Sequence, residues 1–83
     1  MEHLITIQTD RWREDWYYQE EGDCYWWHLL FRDGPAEDFY GGDIYWFHDA
    51  FEMVEYVQEQ QFKIPSQAHK YTQLLNTLQE RIR

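Results

Sequence analysis

Runs of adjacent aromatic residues constrain this chain more than any other feature. Trp16-Tyr17-Tyr18, Tyr25-Trp26-Trp27, Phe39-Tyr40 and Tyr45-Trp46-Phe47 are unbroken strings of rings. Successive side chains of a β-strand point to opposite faces, so each run placed in a strand puts rings on both sides of a sheet. A sheet covered by helices on one side therefore still carries rings on the other. The 5 Trp, 7 Tyr and 5 Phe make up 20% of 83 residues, beyond the needs of an ordinary core in so small a domain. That length allows one compact domain, residues 1–83, and the 43% hydrophobic content excludes a wholly disordered acidic tail.

Leu4 to Thr9 reads as a short strand, and Asp10 to Asp15 as a charged connection. Trp16 to Glu20 and Cys24 to Arg32 flank Glu20-Glu21-Gly22-Asp23, whose glycine can take positive φ, so the pair is expected to form a hairpin. Asp33-Gly34-Pro35 opens a loop that runs to Gly42, and Asp43 to Phe47 is a candidate fourth strand. Asp49 and Glu52 imitate a capping box in front of a helix from Ala50 to about Gln61, with Ala50 or Phe51, Val54, Val57 and Gln61 as its buried stripe. After Pro65, with Ser66 as its cap, a second amphipathic helix carries Ala68, Tyr71, Leu75, Leu78 and Ile82 on one face. It is expected to reach the C-terminus, where Arg81 and Arg83 suit its dipole. The fold class is α+β: a small antiparallel sheet of three or four strands with two C-terminal helices packed on one face. The alternative is a sheet whose helices exchange between two chains.

The formal charge of −9 is unevenly spread. Met1 to Gln60 carries 15 carboxylates against Arg11, Arg13 and Arg32, a sum of −12, whereas Glu80 faces Lys63, Lys70, Arg81 and Arg83 in the remainder. Such a body repels phosphate backbones and anionic lipid, so direct nucleic-acid or membrane binding is not expected and basic partners are favoured. The same charge would also serve simply to keep an aromatic-rich protein in solution. Cys24, the single cysteine, cannot close an intrachain disulfide, and no signal-like leader precedes Thr6. The expected setting is reducing and cytoplasmic. No apolar run approaches the ~20 residues that span a bilayer.

Motifs that carry chemistry do not emerge. Cys24 and His28 would share a strand face but lie ~13 Å apart, too far for one metal ion. His48 and Glu52 lack a third ligand at suitable spacing, and Asp33, Asp38 and Asp43 do not follow a calcium-loop pattern. Ser66 is the only serine and Cys24 lies among aromatics, so neither suggests a nucleophile. Gly41-Gly42 is followed by an acid and cradles no phosphate. No cofactor and no enzymatic activity are expected.

Two sets of residues remain. Glu52, Glu55 and Glu59 recur at spacings of three and four, forming an acidic stripe on the first helix that Asp49 extends. Glu20, Glu21 and Asp23 form a second group at the hairpin turn, and Asp10, Glu14, Asp15, Asp33, Glu37 and Asp38 are placed on turns as well. Rows of carboxylates on a rigid scaffold can substitute for a phosphate backbone in a basic groove, although a solvated helix face is the commoner use of such a stripe. Trp16, Trp26 and Trp46 are the candidate interface anchors, since exposed Trp and Tyr commonly serve that role. Base stacking is not expected, because acids rather than Lys and Arg surround the rings. In composition alone, being short, acidic and free of motifs, the chain is similar to small phage-encoded inhibitors of nucleic-acid-processing enzymes, including anti-restriction and anti-CRISPR proteins. The resulting expectation is a non-enzymatic inhibitor that fills a basic nucleic-acid-binding groove by phosphate mimicry. The alternative is an assembly factor whose surplus rings bury in a homodimer or a larger complex.

Overall fold

The hairpin turn at Glu20 to Asp23 fixes the register from which the rest of the sheet follows. In the computed structural model, which describes residues 1–82 without the side chains of 61–63, Gly22 sits at φ +84° and Asp23 at φ +47°. Only the first of these is free of steric cost. The Tyr18 hydroxyl donates to Asp23 at 2.9 Å and helps to hold the second. From this turn, strands β2 (Trp12–Gln19) and β3 (Cys24–Phe31) pair antiparallel with Trp16 opposite Trp27 and Tyr17 opposite Trp26. β1 (Glu2–Gln8) adds to β2 with an irregularity between His3 and Ile5, and β4 (Ile44–Phe47) adds to β3. The sheet order is β1-β2-β3-β4, followed by α1 (Ala50–Lys63), a 3₁₀ turn (Pro65–Gln67) and α2 (Ala68–Gln79). This is the expected α+β arrangement, with four strands and two C-terminal helices.

Both helices lie on one face of the sheet. Ile7, Trp16, Tyr25 and Trp27 of that face are buried with Ala50, Met53, Val54 and Val57 of α1 and Tyr71, Leu74, Leu75 and Leu78 of α2. Across the strands the rings form a ladder: Trp16 stacks on Trp27 (centroids 4.9 Å apart, planes 11° apart), and Trp27 stacks on Tyr45 (4.6 Å, 17°). Tyr56 of α1 leans over this ladder, near Trp16, Trp27 and Phe47. One register position away, on the other face, a second ladder joins His3, Tyr17, Trp26 and Trp46.

Several boundaries differ from the sequence expectation. β2 begins at Trp12, so Arg13, Glu14 and Asp15 belong to a strand and not to a charged connection. Each finds a partner there, which removes the reason for a break. The α1 stripe uses Met53, whereas Phe51 is 55% exposed; Gln61 falls outside the described side chains. Ser66 makes no capping bond to either the 3₁₀ turn or α2. α2 stops at Gln79, and Arg81 pairs with Glu2 at 2.6 Å instead of capping a dipole, while Arg83 lies outside the described residues. Between β3 and β4, Gly42 is required by space: a Cβ there would collide with the Leu29 carbonyl oxygen. No helix is long and apolar enough to cross a membrane among the described residues.

Trp16→Ala should cost about 3–5 kcal/mol in urea unfolding, the usual range for emptying a buried Trp site. Phe51→Ala, an aromatic deletion of similar chemistry on the exposed side of α1, should stay within about 0.5 kcal/mol of the parent.

Candidate functional site

Two groups of exposed acids lie at the start of α1 and in the hairpin turn. At the start of α1, Asp49 accepts a hydrogen bond from the Glu52 backbone N–H at 2.9 Å, and Glu52 accepts one from the His48 N–H at 2.9 Å. The reciprocal pair resembles a capping box shifted by one residue and places two carboxylates at the positive end of the helix dipole. Glu52, Glu55 and Glu59 are all exposed, on the side of α1 opposite Met53, Val54 and Val57. Glu20, Glu21 and Asp23 are exposed in the hairpin turn. That turn and the start of α1 meet: Asp23 and Asp49 line one depression of about 510 Å³, together with Glu80, Tyr18, Phe51 and Ile82. Arg81 also lines it, but its guanidinium is bound to Glu2 and lies 5.6 Å from the Tyr18 ring centre. Phe51 and Ile82 are 55% and 39% exposed, so the depression combines carboxylates with uncovered apolar surface.

The three tryptophans chosen as anchors do not share a surface. Trp16 is fully enclosed beneath the helices and is no anchor. The alternation of the strand put its neighbour Tyr17, and not Trp16, on the open side. Trp26 and Trp46 do lie on that open side, with Trp46 56% exposed, but the sheet separates them from the α1 stripe. One acidic and aromatic face, as expected from the sequence, is thus two surfaces: acids with Phe51 and Ile82 on the helical side, rings on the open face of the sheet.

Glu14 and Asp15, expected on a turn, stand in β2 and are both buried. Glu14 points into the helix-covered core, where the Trp16 indole N–H donates to it at 3.1 Å and the Tyr71 hydroxyl donates to its carboxylate at 2.9 Å. Burial dominates and raises its pKa, although both hydrogen bonds act to lower it. Asp15 points the other way. Burial acts upward on it too, but the Thr6 hydroxyl at 2.5 Å, the Arg13 guanidinium at 2.9 Å and His3 together outweigh it, and the net shift is downward. The signal for both was the alternation Trp12-Glu14-Trp16-Tyr18 against Arg13-Asp15-Tyr17. Tyr71 is itself held protonated by desolvation and by Glu14, so this pair offers a structural hydrogen bond rather than an exposed acid and base. Among the described residues no group of three or more His, Cys, Asp or Glu is gathered as a metal site.

Comparison with protein-family models, with curated proteins and with solved structures finds no match to this chain.

The two buried carboxylates give opposite pH dependences. Glu14, raised in the folded state, contributes stability below its ordinary pKa that is lost as pH rises through the folded value. Asp15, lowered, contributes stability above its ordinary pKa that is lost as pH falls through the folded value. Urea midpoints measured from acid to neutral pH should therefore lose their neutral-side decline in Glu14→Gln and part of their acid-side decline in Asp15→Asn. Tyr71→Phe should cost about 1–3 kcal/mol at neutral pH, where a buried carboxylate loses a donor, and less in acid.

Proposed function

We propose that the protein is a small non-enzymatic binding module whose acidic helical side occupies a basic groove of a partner protein, one that otherwise holds nucleic acid, by standing in for phosphates. The observation that carries this reading is the meeting of carboxylates from three parts of the chain in one depression, Asp49 at the head of the α1 stripe, Asp23 of the hairpin turn and Glu80, with the stripe itself running on along α1. Glu52, Glu55 and Glu59 follow one another at axial steps of ~4.5 and ~6 Å. One strand of a duplex presents a charge every ~3.4 Å, so the row is within a factor of two of that density. Its charges ride on a capped helix and need little ordering on binding.

Phe51 and Ile82 take the anchoring part that the sequence assigned to tryptophan. Carboxylates speed encounter with a basic surface and buried apolar contacts slow release, a division common to charged interfaces. Glu20 and Glu21 at the turn widen the acidic field around Asp23. Direct binding to nucleic acid is disfavoured by the same charges, and Cys24, with no second cysteine to pair with, fits a reducing cytoplasmic setting. Inhibition of a nucleic-acid-processing enzyme, the role played by compositionally similar phage proteins, is the use to which such a surface is best suited.

The test is capture of partners from a host extract by the immobilised protein. Basic nucleic-acid-binding proteins should be retained at about 0.1 M salt, displaced by excess duplex DNA, and released at about 1 M salt, where the screening length falls from ~10 to ~3 Å. Reversal of the stripe with Glu52→Lys, Glu55→Lys and Glu59→Lys should abolish capture. Retention that ignores salt, DNA and the three reversals would contradict phosphate mimicry.

A further inference from the structure

The open face of the sheet differs in character from the rest of the molecule. On β2, β3 and β4 it presents Tyr17, Trp26, Leu30, Ile44 and Trp46, none of which packs against the core cluster, while β1 adds the polar His3, Thr6 and Gln8. Trp46 and Ile44 are 56% and 49% exposed. The only carboxylate that the strands place on this face is Asp15, and it is bound by Arg13, the only permanent cation there, and by Thr6 and His3. A chain with a net charge of −9 thus keeps one side free of net charge.

Ring orientation narrows what this face can accept. Tyr17 and Trp26 are stacked on each other with centroids 4.4 Å apart and planes 25° apart, and Trp26 leans on Trp46 at 5.4 Å. The broad faces of the inner rings are used by their cross-strand neighbours. Sugars and bases bind aromatic platforms through those broad faces, so neither finds such a platform on the inner strands. What remains for a partner is a ridge of ring edges flanked by aliphatic side chains, a surface suited to interdigitation with another apolar protein face.

We infer that this face is the contact between two copies of the chain, packed sheet to sheet across a two-fold axis. Charge decides in favour of a second copy. Two molecules of the same acidic chain repel wherever their turns and helices approach, and the open face is where they can meet without opposing like charges. A basic partner has no carboxylate row to read here. The area sets the strength of the contact. Strands of 7, 8, 8 and 4 residues at ~3.4 Å rise and ~4.8 Å spacing make a face of roughly 440 Å², so two copies cover roughly 900 Å² in all. That falls at the weak end of specific interfaces and points to a transient dimer. Such a dimer would bury the ridge and leave both α1 stripes facing outward. The inference does not depend on the basic-partner reading, since the two surfaces lie on opposite sides of the sheet.

The test is sedimentation equilibrium of the full chain over concentrations from about 1 to about 200 µM, a span chosen for a small, transient interface. The mass should rise from one copy to two. Trp46→Glu should weaken association at least ~10-fold, the effect of ~1.4 kcal/mol, and the stripe reversal Glu52→Lys, Glu55→Lys, Glu59→Lys should not weaken it. Leu30→Glu, on the inner strand β3 opposite Arg13, serves as a second variant whose new charge has a cross-strand partner. It should weaken association as well, whereas a dimer formed through the free edge of β4 would survive it and overturn the inference. A wild-type chain that stays monomeric throughout, leaving the face for a different protein, overturns it too. Far-UV circular dichroism identifies any variant that fails to fold, and the other substitution then decides.

Discussion

Trp16 lies flat against Trp27 with its ring fully enclosed, and most of the architecture answers to that placement. A buried indole carries one N–H that needs an acceptor, and Glu14, two residues away on the same strand face, supplies it. A buried carboxylate in turn needs donors, and Tyr71 reaches across from α2 to provide one. The chain of hydrogen bonds from β2 to α2 is thus a consequence of choosing Trp for the centre of the sheet. Each stacked aromatic pair is worth about 0.5–1.5 kcal/mol beyond the area it buries. The burial of Glu14 offsets part of that gain, and its raised pKa is the visible sign of the cost.

Strand parity then distributes the remaining rings. Trp16 and Tyr17, Trp27 and Trp26, and Tyr45 and Trp46 occupy adjacent register positions, so Trp16 and Trp27, sealed under the helices, and Tyr45, 38% exposed on the same side, each have a neighbour turned outward. The acids follow a different rule. Apart from Glu2 on β1 and Glu14 in the core, they gather in the loops and turns and on the outer side of α1, where solvation is retained, and Asp15 alone among the strand residues of the open face is an acid. Aromatic surface and acidic surface are therefore separated by the thickness of the sheet, and a chain of 83 residues has room for two contacts of different chemistry.

The layer arrangement was legible in the sequence because period-2 aromatic runs and period-3.6 aliphatic stripes do not resemble each other. The hairpin was legible through Gly22, and the start of α1 through Asp49 and Glu52. Which member of each ring pair is buried was not. Trp16 and Tyr17 are equally apolar, and only the register with β1 and β3, together with the side on which the helices fall, decides between them. The start of β2 was hidden for a related reason: Arg13-Glu14-Asp15 reads as a solvated break unless the partners Tyr71, Thr6 and His3, distant in sequence, are known. The acidic row on α1 was visible from spacing alone. The closeness of Asp49, at the head of that row, to Asp23 and Glu80 depends on how the hairpin turn and the end of α2 fold back toward α1, which no local pattern contains.

Register sorts the rings, sealing Trp16 and Trp27 beneath the helices, leaving Tyr45 stacked on Trp27 at the edge of that side and 38% exposed, and turning Tyr17, Trp26 and Trp46 to the open face. Proton–proton Overhauser contacts in solution test it most directly. Contacts are expected from Tyr56 of α1 to the Trp16 and Trp27 rings, and among Tyr17, Trp26 and Trp46 with no α1 residue included. Contacts from Tyr56 or Val57 to the Trp26 ring would mean a sheet shifted by one residue, and both proposed surfaces would be lost with it.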